Sequence, residues 1–135
     1  MAAEPKTRPT DASVPDFIAA LENPTRRADA EAICALMAEA TGEPPVLWGP
    51  SIVGFGRYRG PTGDWPLVGF SPRKANLVLY IMPGFAEHAD LLVRLGKHRA
   101  GSSCLYLNRL ADADPAVLRE LIDRSIASLR ATYGG

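Results

Sequence analysis

The chain has almost nothing from which to build a metal or redox centre. Its two thiols, Cys34 and Cys104, and two imidazoles, His88 and His98, form no CxxC, HxH or HxxxH pair. The cysteines sit in apolar contexts of helical and strand character, which predicts buried, unpaired thiols in a reducing compartment. Net charge is also missing. Fifteen Lys and Arg balance fifteen Asp and Glu, which argues against a domain held to nucleic acid or to an anionic membrane by bulk charge. No apolar run approaches the ~18 residues of a membrane span, and MAAEPKTRPT at the N-terminus lacks the apolar core of a secretion signal. The expected location is the cytoplasm. No GxSxG elbow accompanies Ser102-Ser103-Cys104, so these possible nucleophiles lack a recognisable acid–base partner. Gly54-Phe55-Gly56 has neither the third glycine nor the following helix of a dinucleotide fingerprint.

What is present is ordinary globular material, 47% hydrophobic and 22% charged over 135 residues. A chain of this size buries roughly two-thirds of its unfolded surface, so one core suffices without a staple. Residues 1–12 read as a flexible lead-in and 13–133 as a single domain. Ser13-Val14-Pro15-Asp16 is a helix start, predicting a helix from Val14 to about Glu22. Asn23-Pro24 interrupts it. A second helix begins near Thr25, shows Ile33, Leu36, Met37 and Ala40 on one face, and ends at Gly42.

Glu43 to Ser51, with three prolines and one glycine, reads as an ordered loop carrying Trp48. Three extended runs follow, Ile52 to Tyr58, Pro66 to Ser71 and Ala75 to Met82, joined by turn-rich connections into an antiparallel meander. Both faces of the third are apolar, which predicts a central strand. Phe85 to Leu95 reads as a third helix stopped by Gly96, and Ser102 to Leu107 as another strand. Asp114-Pro115 opens a last helix with Leu118, Leu121, Ile122, Ser125 and Leu129 as its buried stripe. The order ααβββαβα predicts the α+β class: a mostly antiparallel sheet of at least four strands flanked by helices.

Glycine inside a strand marks a close approach of another group, and for Gly54 the expected group is the Trp48 ring. Glu87, His88 and Asp90 read as a solvated helix face rather than a metal site. The cations carry more. Arg73 and Lys74 lie in the turn Ser71-Pro72-Arg73-Lys74, and Lys97, His98 and Arg99 follow the third helix. Were the strand Ala75–Met82 and the strand containing Cys104 neighbours and parallel, both cationic starts would meet at one end of the sheet. The expected site is an anion-recognition rim of Ser71, Arg73, Lys74, Lys97 and Arg99 beside an aromatic floor of Trp48, Phe70 and Tyr80.

The segments WGPSIVGFGRY, GFSPRKANLVLYI and LGKHRAGSSCLYLNRL resemble the YdhG-like family of bacterial domains of unknown function, over nearly all of residues 13 to 128. The matching positions include Trp48, Gly54, Gly56 and Tyr58, then Gly69, Phe70, Ser71, Arg73, Lys74 and Tyr80, then Gly96, Lys97, Cys104 and Tyr106. The resemblance implies a compact sheet with flanking helices, described as frataxin-like in some members, and through that an iron-handling role. Here Asp29, Glu31 and Glu39 alternate with Arg26 and Arg27 instead of forming the acidic ridge such iron binding needs.

Three functions follow. The leading expectation is a non-catalytic binding module for a small anionic ligand or a protein partner, with no cofactor, metal, nucleic acid or membrane, acting as a monomer or homodimer. A metal-handling accessory protein and an enzyme using Cys104 or Tyr80 are the alternatives.

Overall fold

The computed structural model describes residues 9–49, 51–61, 63–85 and 88–133. Local signals set the helices. In α1 (Val14–Ala19) the Ser13 hydroxyl accepts from the Asp16 amide at 3.2 Å. The helix stops at Ala19 rather than near Glu22. In α2 (Pro24–Thr41) Asn23 Oδ1 accepts from the Arg26 amide at 3.0 Å, and Gly42 closes the helix. Further on, α3 spans Ala89–Leu95 and α4 spans Pro115–Tyr133. Asp114 caps α4 by accepting from the Ala116 and Val117 amides. Among the described residues no helix is long and apolar enough to cross a membrane.

The strands are β1 (Pro45–Trp48), β2 (Ile52–Phe55), β3 (Tyr58–Gly60), β4 (Gly63–Trp65), β5 (Val68–Pro72), β6 (Leu77–Tyr80), β7 (Arg99–Ala100) and β8 (Cys104–Leu107). Six of them form one antiparallel sheet in the order β1-β2-β5-β6-β8-β7, and β3 and β4 pair apart from it. The α+β class and the β2-β5-β6 meander are as expected. The segment expected to be a loop is strand β1 instead. Pro45 is tolerated because it opens β1 on the sheet's margin, where a missing donor breaks no interior ladder. The expected run Ile52–Tyr58 breaks at Gly56, and the connection after it holds the β3–β4 hairpin.

Register divides the sheet into two faces. Val53, Phe55, Val68, Phe70, Leu77, Leu79, Leu105 and Leu107 share one face and are wholly buried against the helices. Full burial of such side chains contributes about 1.5–3 kcal/mol each. The helical layer is α2 and α4, with α1 against α2 and α3 against α4. The alternate residues, Gly54, Gly69, Ser71, Val78, Tyr80, Cys104, Tyr106 and Arg99, share the opposite, open face.

Strand β6 lies between β5 and β8, with Leu77, Val78 and Leu79 fully buried. Hydrogen exchange is therefore expected to be slowest at the amides of Leu77 to Tyr80, which open only with global unfolding. Exchange there as fast as in β7 would show that β6 is not the stable centre of the sheet.

Candidate functional site

The cationic connections meet at one end of the sheet, but by a different route from the expected one. Strands β6 and β8 are neighbours and antiparallel, with Leu77 opposite Leu107 and Tyr80 opposite Cys104. Parallel strands would have needed a long crossover. The short strand β7 makes the difference. It is antiparallel to β8 and thus runs parallel to β6, with Arg99 opposite Tyr106 and Tyr106 opposite Val78. Lys97 and Arg99 therefore stand at the end where β6 begins, the end that carries Arg73 and Lys74.

Two recesses lie at this end. Arg26, Pro72, Arg73 and Lys74 line a groove of about 400 Å³, with Glu22 as an acid among its lining residues. Lys97, His98, Arg99, Tyr106 and Asn108 line a smaller one of about 110 Å³. Arg26 joins the two, since its Nη1 donates to the Asn108 carbonyl at 3.2 Å. Among the described residues, no carboxylate forms an ion pair with Arg73, Lys74, Lys97 or Arg99. Elsewhere Arg57, Arg59 and Arg109 each pair with a carboxylate, and Arg119 and Arg124 with two.

Two tyrosines stand among these cations on the open face. Arg73 Nη2 donates to the Tyr80 hydroxyl at 3.0 Å, and the Arg99 guanidinium lies 5.1 Å from the centre of the Tyr106 ring, within range of a cation–π attraction. The Tyr106 phenol is pushed above its ordinary value, first by its hydrogen bond with the Cys104 side chain and then by that group's charge. Arg73 and Arg99 both pull the other way. Two guanidiniums from separate connections thus act on one phenol.

The expected aromatic floor is only partly present. Tyr80 belongs to it. Phe70 does not: it lies on the core face, stacked at 6.5 Å on Phe55. Trp48 sits three strands from Tyr80, at 2% exposure, above Gly54, with the Arg57 guanidinium 5.8 Å from its ring centre. A Cβ on Gly54 would stand 2.7 Å from Trp48 Cδ1, so the close approach expected at this glycine is real. Tyr106 shares the open face with Tyr80, and Arg26 lines the groove beside Arg73 and Lys74. The i, i+2 spacing of Cys104 and Tyr106 puts them on one face of a strand, but only the β6–β8 register sets Tyr106 opposite Val78, beside the Arg73–Tyr80 pair. Nothing local pointed to Arg26.

Ser71 is wholly buried, and its hydroxyl has no hydrogen-bond partner among the described residues. His88 is a correction: it is 5% exposed rather than solvated, and its Nδ1 likewise lacks a partner. Its place one turn before Leu91 puts it on the buried face of α3. Glu87 lies outside the described residues, while Asp90 pairs with Arg124. The His98 Nδ1 is 2.7 Å from the Gly96 carbonyl. On α2, Asp29 accepts from the Leu110 amide and Glu39 pairs with Arg119.

Among the described residues no group of three His, Cys, Asp or Glu side chains is placed to hold a metal ion. Both thiols are free and half-buried rather than buried, and burial pushes the Cys34 thiol up, which disfavours its nucleophilic form. Comparison of the chain with protein-family models, with curated proteins and with solved structures finds no match.

Proposed function

We propose that this chain is a non-catalytic binding module for a small anion, taken at the cationic end of the sheet by Arg73 and Arg99 with Lys74 and Lys97 beside them. One observation carries the reading: these four cations stand at one end of the sheet, none of them ion-paired to a carboxylate among the described residues, with Arg73 on the Tyr80 hydroxyl and Arg99 over the Tyr106 ring. Like charges at close range raise the Coulomb energy of the free protein. An anion lowers it, and guanidinium forks suit the oxygens of phosphate or carboxylate in pairs.

The reading includes membership of the YdhG-like family of bacterial domains and a cytoplasmic monomer or homodimer. In its support, two of the three resembling segments form the site. GFSPRKANLVLYI builds β5, the Arg73–Lys74 turn and β6, and LGKHRAGSSCLYLNRL builds β7 and β8.

A thermal-shift titration with phosphate, sulfate and small carboxylates is the test. An anion at a hundred times its Kd stabilises the fold by about 2.7 kcal/mol. Arg73→Ala and Arg99→Ala should each change the stability of the free protein by less than about 1 kcal/mol, because both side chains are exposed. Each should also remove the anion-induced shift. An unmutated protein whose melting temperature no anion raises would end this reading.

A further inference from the structure

The open face of the sheet holds a feature that a solvated arginine turn does not require. The Arg73 amide donates to the Asn76 carbonyl at 3.0 Å, so Arg73 stands level with Asn76. On this face the next level is the pair Ser71–Val78, and the one after it is Gly69–Tyr80, the pairs between them facing the helices. The hydrogen bond from Arg73 Nη2 to the Tyr80 hydroxyl therefore spans the Ser71–Val78 level. Both residues beneath this span are 0% exposed although they point away from the helices. The Ser71 hydroxyl, moreover, has no partner among the described residues. A buried hydroxyl without a partner costs about 1–3 kcal/mol, and a sheet interior needs no serine there for packing.

From this arrangement we infer that the Arg73–Tyr80 pair is a latch over an oxyanion subsite, whose floor is the Ser71 hydroxyl and whose ligand is a phosphate group, free or as a small monoester. The inference rests on the anion-binding reading above and deepens it. In the free protein the guanidinium is held on Tyr80 and covers Ser71. When phosphate arrives, the guanidinium leaves the phenol for two phosphate oxygens, a stronger charge-assisted bond. The Ser71 hydroxyl then donates to a third, while Arg99, on β7 three strands from Ser71, adds positive charge at the same level of the sheet. The Tyr80 and Tyr106 rings flank the subsite and suit an apolar substituent on a monoester. Opening the latch opposes binding, because the apparent affinity scales with the fraction of molecules already open.

The test is calorimetry of the full chain with inorganic phosphate and with phenyl phosphate. Tyr80→Phe removes the hydroxyl that holds the latch shut and should tighten phosphate binding about three- to tenfold, the factor a single hydrogen bond provides. Ser71→Ala should weaken it by a similar factor without lowering the melting temperature, since the variant also removes an unsatisfied buried group. Phenyl phosphate should bind more tightly than phosphate if the natural ligand is a monoester, and equally if it is the free ion. Opposite signs for the two variants are diagnostic, because loss of structure would weaken binding in both. If the unmutated protein binds phosphate while either variant leaves its affinity unchanged, or Tyr80→Phe weakens it, the latch is wrong and the anion-binding reading stands. If the unmutated protein binds neither probe, both fall.

Discussion

Gly96→Ala is expected to lower stability by roughly 2–6 kcal/mol, measured as a fall in the urea midpoint. The figure combines about 1–3 kcal/mol for a backbone conformation that glycine alone adopts freely with about 1–3 kcal/mol for overpacking. Gly96 has φ 112° and ψ −161°, and a Cβ added there would stand 2.3 Å from the Asp112 carbonyl oxygen. That oxygen is backbone and cannot swing aside. It is held by the bridge between Gly96 and Ala113 and by the Asp114 amide, which donates to the Leu95 carbonyl at 2.7 Å. The exit of α3 is thus pinned to the entry of α4 through this glycine. Relief of the clash would move Lys97 and Arg99, so any surviving folded protein should also lose its anion response. A variant as stable as the parent would show that the Leu95–Lys97 connection is not as described.

The second large effect is expected at Gly54 and Trp48, and it is best measured as a pair. An alanine at Gly54 meets Trp48 Cδ1 and Pro66 Cβ, each at 2.7 Å, and Trp48 Nε1 at 2.8 Å. The indole is almost wholly buried, so it cannot retreat into solvent without losing its packing. Gly54→Ala should cost about 1–3 kcal/mol, and Trp48→Ala about 3–5 kcal/mol. The double variant should cost at least about 1 kcal/mol less than the sum, because removal of the ring leaves room for the new methyl. Strict additivity would mean that the ring does not rest on the glycine.

Features decided within a few residues were legible before the fold was known. Ser13 and Asp114 cap their helices, the α4 stripe from Leu118 to Leu129 is buried, and the apolar faces of Leu77–Ile81 put β6 in the sheet interior. Features that depend on partners distant in sequence were not. A two-residue strand such as β7 has no periodicity to read, yet it alone returns Lys97 and Arg99 to the end of the sheet that carries Arg73. The face of Phe70 was equally opaque: Phe70 and Ser71 are both fully buried, so alternation of apolar and polar residues does not say which faces the helices. His88 shows the same difficulty in a helix. Carboxylates at Glu87 and Asp90 flank it in sequence, but it shares a buried face with Leu91 and Leu95.

The two margins of the sheet have a consequence for how these molecules meet one another in concentrated solution. An uncovered strand is a template on which a second chain can extend the ladder, the first step towards fibrils and amorphous precipitate. On one margin Thr10 already occupies the Leu47 carbonyl, with its amide at 2.9 Å and its hydroxyl at 2.8 Å, and Pro9 bridges to Trp48. Pro45, at the start of that strand, offers no donor. On the other margin β7 is two residues long and begins with an exposed arginine, too short and too charged to seed a ladder. The sheet is thereby kept from polymerising through its sides.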